Sequence, residues 1–174
     1  NGHSDAVCGA VTGCRELIKK CYELQVLLGS QSDPFTSWLV ERGMRTLGLR
    51  IKHQSENAAA LAQALSDSPY VKMVHHPSLK THPQHDIAVK EFGNYFGGML
   101  SIELSGDVEK MNKLMRSLNL AHYAMTLGGY RTSLSYPLMS SHYDVPRDEC
   151  LKMGITEGLL RISCGCLLYT SDAA

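Results

Sequence analysis

The sequence predicts an α/β chain in which helices come first and an α/β sandwich follows. Apolar residues recur every three or four positions in residues 13 to 65, the period of helices with one buried face. They alternate with polar residues in the segment GGMLSIEL, the period of a strand. With 174 residues, 44% of them hydrophobic, the chain can bury the core of one domain and part of another.

Composition argues against several classes of partner. Seventeen basic residues balance seventeen acidic ones without any basic run, so we expect no binding to nucleic acid or to membrane surfaces. No apolar stretch approaches the ~20 residues that span a bilayer, and the first residues do not resemble a signal peptide. These two observations predict a cytoplasmic location. The helical and strand patterns are strong without disulfides, so we expect the six cysteines to be reduced thiols, and they contain no CxxC pair, so we expect no zinc site.

Two helices are predicted at the start of the chain. The first covers residues 13 to 28 and is expected to pack by one apolar face. That face consists of Cys14, Leu17, Ile18, Cys21, Leu24 and Leu28. Asp33 and Pro34 are the expected N-cap and first-turn residue of the second helix, which Gly43 should end or bend.

A third, longer helix is predicted over residues 46 to 65, where it should bridge two domains. Its apolar positions follow helical spacing, and its charged and amide side chains fall largely on the other side. The residues predicted to be buried are Leu47, Ile51, Ala58, Leu61, Ala62 and Leu65. The residues predicted to lie outside are Arg50, Lys52, Gln54 and Glu56.

Alternating strands and helices are predicted after Ser68 and Pro69. A short strand over residues 71 to 74 precedes a loop rich in proline and histidine, and Pro83 should open the next helix. In GGMLSIEL, the next strand, one face consists of Leu100, Ile102 and Leu104. A helix capped by Asp107 and strands within residues 122 to 136 and 159 to 164 complete the predicted α/β sandwich.

Seven segments occur in the order and spacing of one enzyme family. They are GHSD, SDPFTSWLVERGMRTLGLR, SENAAALAQAL, HHPSLKTHPQH, FGGMLSIEL, MTLGGYRTSLSYP and GITEGLLRIS. In these segments the chain resembles the trans-sulfuration enzymes of cysteine and methionine metabolism, which depend on pyridoxal 5'-phosphate (PLP). The group includes cystathionine γ-synthase, cystathionine β- and γ-lyases, methionine γ-lyase and the homoserine sulfhydrylases. The resemblance covers residues 1 to 165.

The resemblance implies a C-terminal fragment of a fold-type I PLP enzyme. Residues 1–45 then end the large PLP-binding domain, residues 46–165 form the C-terminal substrate domain, and residues 166–174 are a foreign tail. The family's PLP-bearing lysine precedes x-Gly-His-Ser, so we expect it three residues upstream of Asn1. The resemblance places most cofactor-binding residues further upstream. PLP is therefore the expected cofactor of the full-length parent, and the fragment alone is expected to be inactive.

Arg161 is the leading candidate for a functional residue. In LLRIS the strand period directs Leu160 and Ile162 to one face and Arg161 to the other. A guanidinium there could hold a carboxylate by a two-point contact, or it could form a surface salt bridge, and the pattern leaves both readings possible. The family's matching arginine implies that Arg161 binds the substrate α-carboxylate.

Thr126 and Arg131 are two further candidates near a pair of glycines. Thr126 stands where the family has serine in Ser-Leu-Gly-Gly, so the resemblance implies that it lines the substrate site. Gly128 and Gly129 allow a tight turn, which an ordinary connection between strands would also need. Arg131 stands where many members carry an acidic residue. It predicts either altered substrate specificity or a solvent-exposed arginine on an edge strand.

Other polar clusters favour structural interpretations. Four histidines occur within the segment HHPSLKTHPQH, but prolines interrupt it and no HxxxH spacing is present. We therefore predict structural histidines and no metal site at His75, His76, His82 and His85. The adjacent residues His3, Ser4 and Asp5 do not indicate a catalytic triad, because sequence adjacency is not triad geometry.

The resemblance implies a homotetrameric parent enzyme that breaks or replaces a bond at the γ carbon of a small amino acid. The substrate would be of the homocysteine, methionine or homoserine type. A γ-lyase acting on cystathionine or methionine is the first choice. The alternatives are cystathionine γ-synthase, an O-acylhomoserine sulfhydrylase, and a truncated domain without catalytic activity.

Overall fold

The computed structural model describes residues 1 to 167, which divide into two compact units. The first unit runs from Asn1 to Leu47, and the second begins at Gly48. The domain boundary that the family pattern implies after residue 45 stays a prediction. Within the described residues, no helix is both long enough and apolar enough to cross a membrane.

The first unit contains two helices, α1 (Arg15–Leu28) and α2 (Pro34–Met44). Helix α1 ends at Gly29, whose left-handed backbone, with a φ of 68°, lets its N–H donate to the carbonyl of Gln25. Helix α2 begins as predicted, because the Asp33 carboxylate accepts the N–H groups of Phe35 and Thr36, each at 3.0 Å.

The apolar stripe of α1 is exposed in this chain. The helix has no buried residue, and Leu17 and Leu24 are each 55% exposed. The expectation that α1 packs by one face is therefore wrong for the described residues. Gly43 lies inside the last turn of α2, which ends at Met44, so it does not terminate the helix.

The second unit is a mixed sheet of five strands in the order β1-β2-β5-β4-β3. The strands are β1 (Val71–His75), β2 (Met99–Leu104), β3 (His122–Tyr123), β4 (Ser133–Ser135) and β5 (Leu159–Ser163). Neighbouring strands are antiparallel except β3 and β4, which are parallel. The helices of this unit are α3 (Leu47–Ser66), α4 (His85–Phe92), α5 (Val108–Ser117) and α6 (Arg147–Lys152), with a short 3-10 helix at Pro137–Met139. The α/β class predicted from the sequence is confirmed.

One face of the sheet forms the hydrophobic core. The buried apolar strand residues are Leu100, Ile102, Leu134, Leu160 and Ile162, which fits the alternation predicted for β2 and β5. Met111 of α5 joins them, and Asp107 caps that helix by accepting the Lys110 N–H at 3.0 Å. Ala58 and Ala62 of α3 complete this core.

The buried face of α3 differs from the prediction at two positions. Gln54 is only 2% exposed although it was predicted to lie outside, whereas Ile51 is 39% exposed. The buried side runs through Gln54, Ala58 and Ala62, spaced four residues apart on one face of the helix. A buried amide needs a hydrogen-bond partner, and Gln54 has one in the loop described below.

The expected foreign tail lies only partly within the described residues. Its first two residues, Cys166 and Leu167, donate their N–H groups to the carbonyl of Tyr130 at 3.0 and 3.2 Å. Residues 168 to 174 lie outside the described part of the chain. The prediction of a tail at residues 166–174 therefore stays a prediction.

Candidate functional site

Strands β4 and β5 carry serine and arginine on the face opposite the core. Along β5, Arg161 and Ser163 alternate with buried Leu160 and Ile162. The pairing register joins Ser135 to Arg161 and Ser133 to Ser163 across the two strands. We call this set the polar face, and it consists of Ser133, Ser135, Arg161 and Ser163.

Arg161 has short neighbours on both adjacent strands. Its register partner is Ser135 in β4 on one side and Ser101 in β2 on the other. Among the residues described, no carboxylate forms a salt bridge with Arg161.

A loop of residues 125 to 131, which we call the glycine loop, connects β3 to β4 and is held by the polar face. Arg161 Nη2 donates to the carbonyl of Met125 at 3.3 Å. The hydroxyl of Ser133 donates to the carbonyl of Thr126 at 3.1 Å. The structure thus brings Arg161 together with the backbone beside Thr126.

The turn of the glycine loop depends on Gly128. Its φ of +70° lies in the left-handed region, which residues with a Cβ adopt only at a cost. Its N–H donates to Ser163 Oγ at 3.0 Å, so this conformation is also fixed by the polar face. The next carbonyl, that of Gly129, accepts a hydrogen bond from Gln54 Nε2 at 2.7 Å.

The segment that follows β5 is held against the far end of the glycine loop. The Gly165 N–H donates to Thr132 Oγ1 at 3.0 Å, and its carbonyl accepts from Asn57 Nδ2 at 2.9 Å. A Cβ at position 165 would collide with the backbone of Tyr130 and Arg131. Only glycine therefore permits this close approach.

The candidates Thr126 and Arg131 both lie in the glycine loop and are exposed. The Arg131 guanidinium carbon is 5.2 Å from the centre of the Tyr130 ring, within range of a cation–π interaction. Arg131 precedes β4, and β4 lies between β5 and β3. It is therefore a loop residue, not part of an edge strand.

Gln54 and Asn57 are residues that the sequence reasoning did not assign to the site. Their position on a helix gave no indication of the site, because their partners lie 75 and 108 residues further along the chain. The motif SENAAALAQAL contains Asn57, but the resemblance gave that residue no role.

The lysines of the chain do not provide an attachment point for PLP at this site. Every lysine is exposed and none is on the polar face. Catalytic attachment requires a lysine held against the cofactor in an enclosed site. Among the described residues, no lysine lies in such an enclosed setting.

Cys164 is the nearest thiol to the polar face in sequence. It is 3% exposed, and burial raises the pKa of its thiol to about 11. A thiol with that pKa remains protonated near neutral pH and is a poor nucleophile. Cys164 therefore does not supply a reactive group, and its N–H donates to the carbonyl of Gly98 at 2.7 Å.

The histidine-rich loop is held together by contacts within itself and with Phe96. Buried His76 lies 2.7 Å from Ser78 Oγ through Nδ1, and His85 Nδ1 lies 2.8 Å from the carbonyl of Pro77. The rings of His76 and His85 lie 6.4 and 6.2 Å from the Phe96 ring. Burial lowers the pKa of His76. No group of side chains within residues 1 to 167 is suited to hold a metal ion.

The arrangement of sheet and helices is that of PLP-dependent cystathionine enzymes. The chain aligns with the crystal structure of cystathionine gamma-lyase from yeast with a TM-score of 0.91 and 34% sequence identity. The alignment covers 95% of this chain and 43% of that one.

The chain belongs to the family of Cys/Met metabolism PLP-dependent enzymes, whose model matches residues 1–167. It is 41% identical to a cystathionine beta-lyase of Coxiella burnetii, covering 95% of this chain and 43% of the relative. It is 38% identical to a cystathionine gamma-lyase of Bacillus subtilis, covering 94% and 43%. It is 35% identical to the chloroplastic cystathionine gamma-synthase 1 of Arabidopsis thaliana, covering 94% and 29%.

These matches confirm the family and its cofactor, PLP, as the resemblance implied. The chain spans less than half the length of each of these relatives. It is therefore a partial-length member of a family of PLP-dependent lyases and synthases.

Proposed function

We propose that this chain is part of a PLP-dependent lyase that cleaves a carbon–sulfur bond at the γ carbon of cystathionine or methionine. The observation that carries the proposal is the position of Arg161 on the polar face, fixed to the glycine loop and without a carboxylate partner in the described chain. Lyase is preferred to synthase because the two lyases compared above are 41% and 38% identical to the chain, against 35% for the synthase.

In this proposal Arg161 binds the α-carboxylate of the substrate. Its hydrogen bond to the carbonyl of Met125 orients the guanidinium before substrate arrives. A guanidinium has five N–H donors, so a two-point contact with a carboxylate can form beside that bond. Thr126 lines the same site, and its backbone is held by Ser133.

Arg131 is proposed to contribute to specificity. Its guanidinium is exposed in the loop that carries Thr126. The far end of cystathionine carries a carboxylate together with an ammonium group, and a guanidinium near the site could pair with that carboxylate, which the uncharged end of methionine lacks. We therefore favour cystathionine over methionine as the substrate.

When bound, PLP draws electrons from the α carbon of an amino acid and so allows groups further along the side chain to leave. We place the lysine that attaches PLP three residues before Asn1, as the family pattern implies. The exposure of every lysine in the chain supports this placement. We further propose that the parent is a cytoplasmic homotetramer and that the chain alone is inactive.

A β-lyase is the second candidate, because the relative with 41% identity bears that name. Both lyases would act on cystathionine, but on opposite sides of its sulfur. The arginine and the glycine loop would serve either reaction, since each lyase must hold the α-carboxylate of the half of cystathionine that it cleaves, the four-carbon half for the γ-lyase and the three-carbon half for the β-lyase.

Product analysis distinguishes these functions in the whole parent protein loaded with PLP. Cleavage of cystathionine at the γ carbon with uptake of water gives cysteine, 2-oxobutanoate and ammonia. Cleavage at the β carbon gives homocysteine, pyruvate and ammonia. We expect 2-oxobutanoate as the main oxo acid. Predominance of pyruvate would establish the β-lyase. Net formation of cystathionine from an O-acylhomoserine and cysteine, without cleavage, would contradict both lyases.

A further inference from the structure

Two amide side chains of α3 reach carbonyl groups that lie far away in the sequence. Gln54 Nε2 donates to the carbonyl of Gly129 at 2.7 Å, and Asn57 Nδ2 donates to the carbonyl of Gly165 at 2.9 Å. Residues three apart share one face of a helix, so both amides point in a similar direction. Gln54 is 2% exposed, which is unusual for a glutamine on a helix.

The two carbonyls belong to the segments that carry the candidate site. Gly129 lies in the glycine loop, three residues after Thr126. Gly165 follows β5, the strand that presents Arg161. The two segments are also joined to each other through the Gly165 N–H and Thr132 Oγ1. Helix α3 is therefore hydrogen-bonded to both sides of the site.

The surroundings of Gln54 leave little freedom to its side chain. A Cβ added to Gly98 would lie 3.1 Å from Gln54 Cβ and 3.2 Å from the carbonyl oxygen of Cys164. The backbone just before β2 thus passes close to the glutamine, and a Cβ at this position would pack tightly against it. A side chain confined in this way loses little further entropy when it holds the loop.

We propose that Gln54 and Asn57 form an amide clamp that positions the glycine loop and the end of β5, and thereby holds Arg161 and Thr126 in their binding geometry. Both are positioning residues, because they contact backbone and act through the residues that meet substrate. The link to substrate rests on the proposed function, whereas the mechanical role of the clamp does not.

The clamp complements the hydrogen bonds from the polar face. Ser133 and Ser163 fix the loop to the sheet at Thr126 and Gly128, whereas Gln54 fixes it to a helix at Gly129. Without the Gln54 donor, the Gly129 carbonyl loses its partner, and the loop keeps only its bonds to the polar face and to the segment after β5. The Met125 carbonyl, which orients Arg161, belongs to the same loop and becomes less well placed.

Hydrogen exchange tests the mechanical role in the whole parent protein. Gln54→Met keeps the length of the side chain and removes its donor. We expect the amides of residues 126 to 132 to exchange about 3- to 10-fold faster, in line with one lost hydrogen bond. Amides of β2 should stay within about twofold of wild type. The matched control is Gln63→Met, since Gln63 is exposed on the same helix and bonds only Asp67 in the described chain.

Either of two exchange results would overturn the clamp. One is unchanged exchange in the glycine loop of Gln54→Met. The other is an equal acceleration in β2, which would show general destabilisation instead of local release. Because this measurement needs no turnover, it judges the clamp even if the parent proves to have another activity.

The kinetic test uses Gln54→Glu as a conditional donor. An ionised carboxylate cannot donate to the Gly129 carbonyl, but a protonated one can, and burial favours protonation. At alkaline pH we expect KM for cystathionine to rise about 3- to 10-fold, with kcat changed less than about twofold. On acidification the KM of Gln54→Glu, relative to wild type, should fall again, whereas that of Gln54→Met should not. Equal pH profiles of KM in the two variants would show that Gln54 only fills space.

Discussion

Ser133 and Ser163 face each other across neighbouring strands and hold the same loop by opposite means. Ser133 donates its hydroxyl to the carbonyl of Thr126, whereas Ser163 Oγ accepts the N–H of Gly128. A hydroxyl group can both donate and accept a hydrogen bond, so serine serves in both contacts. The loop is thereby fixed on both sides of Leu127, whose own side chain is exposed.

Replacing Ser163 should test this attachment. Ser163→Ala leaves the Gly128 N–H without its acceptor in a partly buried setting, which should lower the free energy of unfolding by about 1–3 kcal/mol. Urea denaturation of the second unit within the whole protein measures this change. Ser117→Ala serves as the control, because that hydroxyl bonds a carbonyl at an exposed helix end. Equal effects in the two variants would contradict a special role for Ser163.

Replacing Arg161 should separate substrate binding from cofactor binding. In the whole parent protein, Arg161→Ala should lower kcat/KM by roughly 30- to 1000-fold, equivalent to about 2–4 kcal/mol for a lost two-point contact. Arg161→Lys should recover little of this, since an ammonium cannot reproduce the planar fork. PLP absorbance should remain near wild type, as should all properties of the exposed control Arg116→Ala. Wild-type kcat/KM combined with a lower Tm would instead identify Arg161 as a structural residue.

The chain alone should not attach PLP at a defined lysine. Every lysine is exposed, so none is held in an environment that would stabilise a specific adduct. After incubation with PLP and reduction with borohydride, mass spectrometry should find only low and scattered modification. A stoichiometric adduct on a single lysine would contradict this expectation and would identify an attachment point within the chain.

The apolar surface of α1 should make the isolated chain aggregate. Leu17 and Leu24 are each 55% exposed on this helix. Exposed apolar residues on one helix face favour association between chains. We expect Leu17→Glu with Leu24→Glu to reduce light scattering, and Lys19→Glu, at a polar position of the same helix, to change it little. A monodisperse monomer of the unaltered chain would contradict this prediction.

Acid should destabilise the second unit through His76. Burial lowers the pKa of His76 in the folded state from its ordinary value of 6.5, so the folded protein binds this proton less readily than the unfolded chain. The contribution of His76 to the free energy of unfolding is therefore fully present above pH ~6.5. It is lost as the pH falls from that value toward the pKa of the folded state. The urea midpoint should fall on acidification, and His76→Gln should weaken this dependence. His53→Gln, at an exposed position, should leave it unchanged.

The features predicted from the sequence are those that depend on residues close together in the chain. Asp33 and Asp107 cap helices through N–H groups two or three residues away, and the alternation around Arg161 follows from the geometry of a single strand. Family and cofactor followed from seven local segments. The substrate roles of Arg161, Thr126 and Arg131 remain predictions, since they depend on groups beyond the described chain.

The features that the sequence did not predict depend on tertiary contacts. The sequence alone predicts Gln54 to be a surface residue, because its hydrogen-bond partner, Gly129, lies 75 residues further along the chain. The serines around Arg161 are identified only by the pairing register. In helix α1 the sequence predicted a buried apolar face, but no described residue covers that face. Periodicity indicates which face is apolar but not what covers it.

The strand order has a consequence for how this unit forms during synthesis. Strand β5 is the last strand of the described chain, yet it lies between β2 and β4 in the middle of the sheet. While the ribosome is still translating residues 105 to 158, β2 can pair with β1, but its other edge stays open until β5 emerges. Open strand edges can pair with other chains. A pause in translation before Leu159 would therefore prolong the time during which the open edge of β2 can pair with another chain.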